Sequence, residues 1–92
     1  MIAPLMREVT IVNRRGLHAR ASAKFVKCAD AFNAQVRVIK DGQTIDGTSI
    51  MGLMTLAAAP GSTIALEAEG PEAEAALDAL EKLIAEGFGE TD

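Results

Sequence analysis

The chain contains one cysteine, one histidine, no tryptophan and no tyrosine, and its aromatic side chains are three phenylalanines. A single cysteine excludes an internal disulfide framework. One histidine and one cysteine do not supply the three or four ligands that zinc usually takes, so no metal site and no cofactor are expected. Basic residues are outnumbered by acidic ones, 9 against 13, giving a net charge of −4. With neither a cationic footprint nor stacking aromatics, nucleic-acid binding is not expected. The apolar runs fall far short of the ~20 residues that cross a bilayer, so membrane insertion is not expected either. Met1 to Met6 carries no basic stretch followed by an apolar one and does not read as a signal peptide. What remains is a small, acidic, cytoplasmic α/β protein of 92 residues. A chain of that size buries only about 60–65% of its unfolded surface, which leaves little room for an enclosed substrate cavity.

Nothing along the chain reads as a linker, a repeat or a low-complexity tract. One domain is expected over residues 1–92, with Gly87–Asp92 as a flexible tail. Glu8 to Val12 alternates and is rich in β-branched residues, which predicts a strand with Val9 and Ile11 inward. From Leu17 the period changes. Leu17, Ala21, Phe25, Cys28, Ala29 and Phe32 share an arc of about 120°, with Arg20, Lys24 and Lys27 outside it, so an amphipathic helix begins near His18. Two strands follow, Ala34–Lys40 and Gln43–Asp46, joined by Asp41-Gly42, a strong signal for a type I′ hairpin. Ser49 is placed to cap a short helix reaching about Leu56. Thr63 to Glu69 alternates again, with Ile64, Leu66 and Ala68 on the buried side. A last helix opens with Pro71 at its first position and stops at Gly87. The order βαββαβα, with strands wet on one face, predicts an α+β fold of two layers: an antiparallel sheet with helices on one face.

The lone His18 opens the first helix, where backbone amides lack internal partners and together carry about half a positive charge. That field disfavours an imidazolium and leaves a neutral ring with a nucleophilic nitrogen. The same amides suit a phosphoryl group, and Arg20, two residues on, adds a planar cation for its oxygens. The pattern fits a residue that accepts a phosphoryl group and releases it. A histidine here also serves simply as a cap or a surface residue. A Ser-His-Asp triad fits poorly: Ser22 lies one turn away, but no Asp is placed to orient the ring.

Gly16-Leu17-His18-Ala19-Arg20 resembles the active-site motif of the HPr family, the histidine phosphocarriers of the bacterial phosphoenolpyruvate-dependent phosphotransferase system. The likeness extends upstream to Glu8-Val9-Thr10-Ile11 and downstream to Ser22-Ala23-Lys24-Phe25-Val26. Ser49-Ile50-Met51-Gly52-Leu53-Met54 is similar to the second signature of the family. The resemblance implies an open-faced β-sandwich with strand order 1-4-2-3. It implies that His18 is phosphorylated on Nδ1 by Enzyme I and passes the group to an Enzyme IIA-type acceptor. Arg20 would steady the phosphoryl group, and the amides of Ala19 and Arg20 would receive its oxygens. The family often has Pro after the motif arginine; Ala21 stands there in this chain, which leaves the helix start less stiff.

Ser49 is a helix cap in any reading. The resemblance adds regulatory phosphorylation there by HPr kinase/phosphorylase. Ile50, Met51, Leu53 and Met54 cannot all face inward from two helical turns. Leu53 is assigned to the core, and Ile50, Met51 and Met54 to an exposed apolar patch. In the family, partners dock on such a face, here Ala19, Arg20, Lys24 and Lys27 with Ile50, Met51 and Met54. Cys28 is core filler. A monomer is expected. The ending Ala85-Glu86-Gly87-Phe88-Gly89-Glu90 is more similar to the nitrogen-related NPr branch, which makes a regulatory phosphorelay the alternative to sugar transport. Two other classes compete: a small ligand-binding regulatory module, which would need a longer second helix, and an interaction protein that signals only through Ser49.

Overall fold

The computed structural model describes residues 3–90. Its elements are β1 (Leu5–Thr10), α1 (Ala19–Asp30), β2 (Gln35–Lys40), β3 (Gln43–Asp46), α2 (Ile50–Thr55), β4 (Thr63–Glu69) and α3 (Ala73–Ala85). A 3-10 turn follows at Gly87–Gly89. The four strands form one antiparallel sheet in the order β1-β4-β2-β3. The central strand β4 alternates as the sequence predicts, with Ile64, Leu66 and Ala68 buried. Its register sets Ile64 opposite Val9, and Leu66 and Ala68 opposite Val38 and Val36, so one sheet face is aliphatic. Phe25 of α1, Leu53 of α2 and Leu77, Leu80 and Ile84 of α3 close over that face, each almost fully buried. Burying each of these side chains is worth about 1.5–3 kcal/mol, which fixes the helices on one side and gives the two-layer α+β sandwich. The hairpin between β2 and β3 has φ +50° at Asp41 and +82° at Gly42, the two positive values that its turn demands.

Three boundaries differ from the sequence expectation. β1 runs Leu5–Thr10 rather than from Glu8 to Val12, because its ladder with β4 ends at Thr10 opposite Thr63. Ile11 is still buried, but its N–H and C=O bond to Ser62 and Gly61 outside the ladder. The last helix starts at Ala73, not Pro71. Glu72 is held by Asn33 instead: its N–H donates to the Asn33 carbonyl and its carboxylate accepts the Asn33 N–H. The third difference bears on function. Residues 87–90 are not a loose tail, since Phe88 is 1% exposed and packs in the core. A lone aromatic between two glycines looks solvated by composition, yet Gly87 and Gly89 both take positive φ and turn Phe88 back onto the core. Thr91 and Asp92, also assigned to the tail, lie outside the described residues.

Candidate functional site

His18 is the N-cap of α1. The loop that delivers it depends on Gly16, whose φ is +64° and whose Cα lies so near α2's exit that an added Cβ would sit 2.1 Å from the Ala58 carbonyl oxygen. That same oxygen accepts the Leu17 N–H at 3.0 Å, pinning the residue before the histidine. Ala57, in the left-handed region at φ +51°, turns the chain after α2 to bring Ala58 there. Ser22 is fully buried and its hydroxyl donates to the Leu17 carbonyl at 3.1 Å, so it braces the loop and is no nucleophile.

The imidazole is partly exposed, at 22% of its side-chain surface. Its Nδ1 accepts the Arg20 N–H at 3.3 Å. A nitrogen that accepts carries no hydrogen, so the Nδ1 lone pair points into the amides of the first turn of α1. The ring hydrogen then sits on Nε2, which faces the Glu90 carboxylate. The other oxygen of Glu90 accepts from Asn13 Nδ2 at 3.0 Å, and Asn13 Nδ2 also reaches the Gly16 carbonyl at 2.8 Å. The Asn13 amide, helped by His18 and the nearby Lys24 ammonium, holds the Glu90 carboxyl below the usual carboxylate range. The two ring nitrogens thus face opposite fields, the positive helix end at Nδ1 and a carboxylate at Nε2.

Arg20 is exposed, and its guanidinium makes no ion pair among the described residues. It is available to an arriving anion. Ala19 is the first helical residue of α1 and is exposed. Beside His18 lies a shallow hollow of about 200 Å³ lined by Arg15, Leu17, His18 and residues 57–60. That is below the 300–1,000 Å³ usual for small-molecule sites. Ser49 caps α2 as predicted, its Oγ accepting the Gly52 N–H at 3.0 Å. Leu53 is buried, while Ile50, Met51 and Met54 are 40%, 75% and 41% exposed. α2 packs against α1, so this apolar face adjoins the helix that carries Arg20 and Lys27. Lys24, grouped with them by sequence, instead donates to the Phe88 carbonyl at 2.6 Å. Cys28 is half-buried, and burial pushes its thiol up, away from reactivity. Among the described residues no cluster of three His, Cys, Asp or Glu could hold a metal ion, and no helix is long and apolar enough to cross a membrane.

Sequence reasoning missed Asn13, Phe88 and Glu90. No spacing rule brings residues 13 and 90 to the histidine; the only signal was an apolar aromatic in a segment otherwise rich in glycine.

Residues 5–86 match the family described as the PTS HPr component phosphorylation site. The chain is 52% identical over 86 residues to the phosphocarrier protein HPr of Cupriavidus necator, covering 94% of this chain and 97% of that one. It is 40% identical to the phosphocarrier protein NPr of Shewanella violacea, covering 94% of each. The crystal structure of HPr-C-His from Thermoanaerobacter tengcongensis superposes with a TM-score of 0.90 at 41% identity, over 96% of this chain and 99% of that one. Fold, motif and relatives agree, and the chain belongs to the HPr family of phosphocarrier proteins of the phosphotransferase system.

Proposed function

We propose that His18 is the phosphoryl acceptor of this carrier: Nδ1 takes the group from phosphorylated Enzyme I and passes it to an Enzyme IIA-type acceptor. The observation that carries this reading is the Nδ1 lone pair on a solvent-accessible ring, aimed at helix amides and next to the exposed Arg20. In the transfer the Nδ1 lone pair forms the N–P bond while the bond from phosphorus to the donor breaks, its electron pair leaving on the donor. The Arg20 N–H, whose 3.3 Å contact to the ring is long, turns to a phosphoryl oxygen together with the Ala19 N–H. The Arg20 guanidinium takes a second oxygen by a charge-assisted bond. Partners dock on Ala19, Arg20, Lys27, Ile50, Met51 and Met54, with the cations aiding encounter with acidic surfaces.

Ser49 is a second modification site in this reading. The residue is partly exposed at the start of α2, beside Ile50 and Met51. A phosphate added there by HPr kinase/phosphorylase would place about −1.5 to −2 charge against the docking face and weaken binding by repulsion and desolvation. These partners place the protein in the cytoplasm. Relatives named HPr and NPr both match, so the identity of the acceptor decides between the sugar and nitrogen branches.

The test is incubation with phosphoenolpyruvate and Enzyme I, followed by intact mass and phosphorus NMR. One acid-labile phosphate is expected, absent in His18→Ala. Arg20→Ala should slow transfer and leave the far-UV spectrum and Tm unchanged. Uptake by His18→Ala would refute the site.

A further inference from the structure

The geometry points to Glu90 as a positioning residue for the phosphoryl-accepting ring: its carboxylate accepts the Nε2 hydrogen, so that the lone pair stays on Nδ1. The inference rests on the reading of His18 as the acceptor and extends it to the other edge of the imidazole.

The contact joins residues 72 apart in sequence, so local chain geometry does not create it. It is built from three sides. Phe88, two residues before the glutamate, is buried in the core and anchors the segment. Lys24 Nζ clamps the Phe88 carbonyl at 2.6 Å. Asn13, 5% exposed, holds the free carboxylate oxygen with the same amide nitrogen that reaches the Gly16 carbonyl, tying the glutamate to the loop that carries His18. The Glu90 side chain is only 9% exposed, although it lies near the end of the described chain. An incidental surface pair would not hold so many fixed partners.

The arrangement has a chemical consequence. When Nδ1 attacks phosphorus, the ring becomes a phosphoryl-imidazolium that keeps its hydrogen on Nε2, and no proton has to leave during the step. The positive charge that develops on the ring lies against the Glu90 carboxylate, already in place before the partner arrives. Carboxylates set histidine tautomers in this way in triads and metal sites, where they also stabilise the imidazolium. The carboxylate stands on the edge remote from Nδ1, so it does not compete with the phosphoryl oxygens for the helix amides.

Two variants separate orientation from charge. Glu90→Gln keeps an acceptor oxygen and loses the charge, while Glu90→Ala loses both. In the wild type, proton NMR should show a downfield Nε2–H resonance of His18 protected from solvent exchange. It should persist, less downfield, in Glu90→Gln and vanish in Glu90→Ala. Phosphoryl uptake from Enzyme I should fall about tenfold in Glu90→Ala, with Glu90→Gln between it and the wild type. A wild type without a protected Nε2–H, or Glu90→Ala transferring at the wild-type rate, overturns the assignment. Failure of wild-type His18 to take phosphate would instead sink the acceptor reading, and the Nε2–H signal reports on the glutamate without any phosphate.

Discussion

Replacing Phe88 by alanine tests whether the C-terminal segment belongs to the fold. If residues 87–90 were a solvated tail, the change would cost no more than the ±0.5 kcal/mol of an ordinary surface substitution. The structure instead buries the ring to 1% exposure among the core side chains. Truncating such a phenylalanine costs about 3–5 kcal/mol when the rest of the structure stays in place. Here a second route caps the loss, because the segment ends the described fold and need not hold a cavity open. It can detach, and the cost is then only the free energy of docking residues 87–90. That free energy contains the ring's burial, about 1.5–3 kcal/mol, plus the Lys24 contact to the Phe88 carbonyl. The entropy that the detached segment regains offsets part of it. The smaller of the two costs governs, so about 2–3 kcal/mol is expected. For a domain of this length each kcal/mol moves Tm by about 4–8 °C, and a fall of about 8–24 °C follows. With no tryptophan or tyrosine to report, urea and thermal unfolding would be followed by far-UV circular dichroism. An effect below about 0.5 kcal/mol would show that the segment does not dock, and would remove Glu90 from the site as well.

Gly16→Ala places a Cβ 2.1 Å from the Ala58 oxygen at a φ of +64°, so the loop must move. The left-handed conformation alone costs about 1–2 kcal/mol, and a loss of more than about 2 kcal/mol is expected in urea unfolding, with shifted amide resonances at Leu17 and His18. Wild-type stability would refute the close approach. Ser49→Ala removes the acceptor for the Gly52 N–H and should cost about 1 kcal/mol, read as faster hydrogen exchange at Gly52; unchanged exchange would mean that the cap is not formed. Because the folded state holds the Glu90 carboxyl below its ordinary range, chiefly through Asn13, its contribution is present above the unfolded pKa and is lost as pH falls through the folded one. Acid titration of stability should therefore be less steep in Glu90→Gln than in the wild type, and coincident curves would contradict the Asn13 and His18 contacts.

Local rules carried the fold where neighbours in sequence are neighbours in space. The hairpin at Asp41-Gly42, the alternation of β4 and the caps at His18 and Ser49 all depend on residues within a few positions of one another. The split of Leu53 from Ile50, Met51 and Met54 was legible for the same reason, since a short helix has one inner face. The start of α3 was misread because its signal, Pro71, was overridden by Asn33 holding Glu72 from across the molecule. Likewise half of the site was legible. The Nδ1 edge of His18 is made by its own helix, whereas the Nε2 edge is made by Asn13 and Glu90, which only the closed fold brings together.

That division between the two edges of one ring fits what a carrier must do. A phosphoryl group has to be taken and then given up, so a site that completed the coordination by itself would trap it. The edge proposed to react is accordingly thin: backbone amides and an arginine whose guanidinium makes no ion pair among the described residues. The remaining ligands for the phosphoryl oxygens would come from whichever partner is docked, which lets the same histidine face a donor and an acceptor in turn. The opposite edge is made wholly within the chain, by a carboxylate held by Asn13 at 3.0 Å. It serves both exchanges equally, because holding the hydrogen on Nε2 favours a bare Nδ1 before the group arrives and a stabilised cation while it is bound. A change at Glu90 should therefore slow uptake from Enzyme I and delivery to the acceptor, whereas a change at Met51, which is 75% exposed, should act partner by partner.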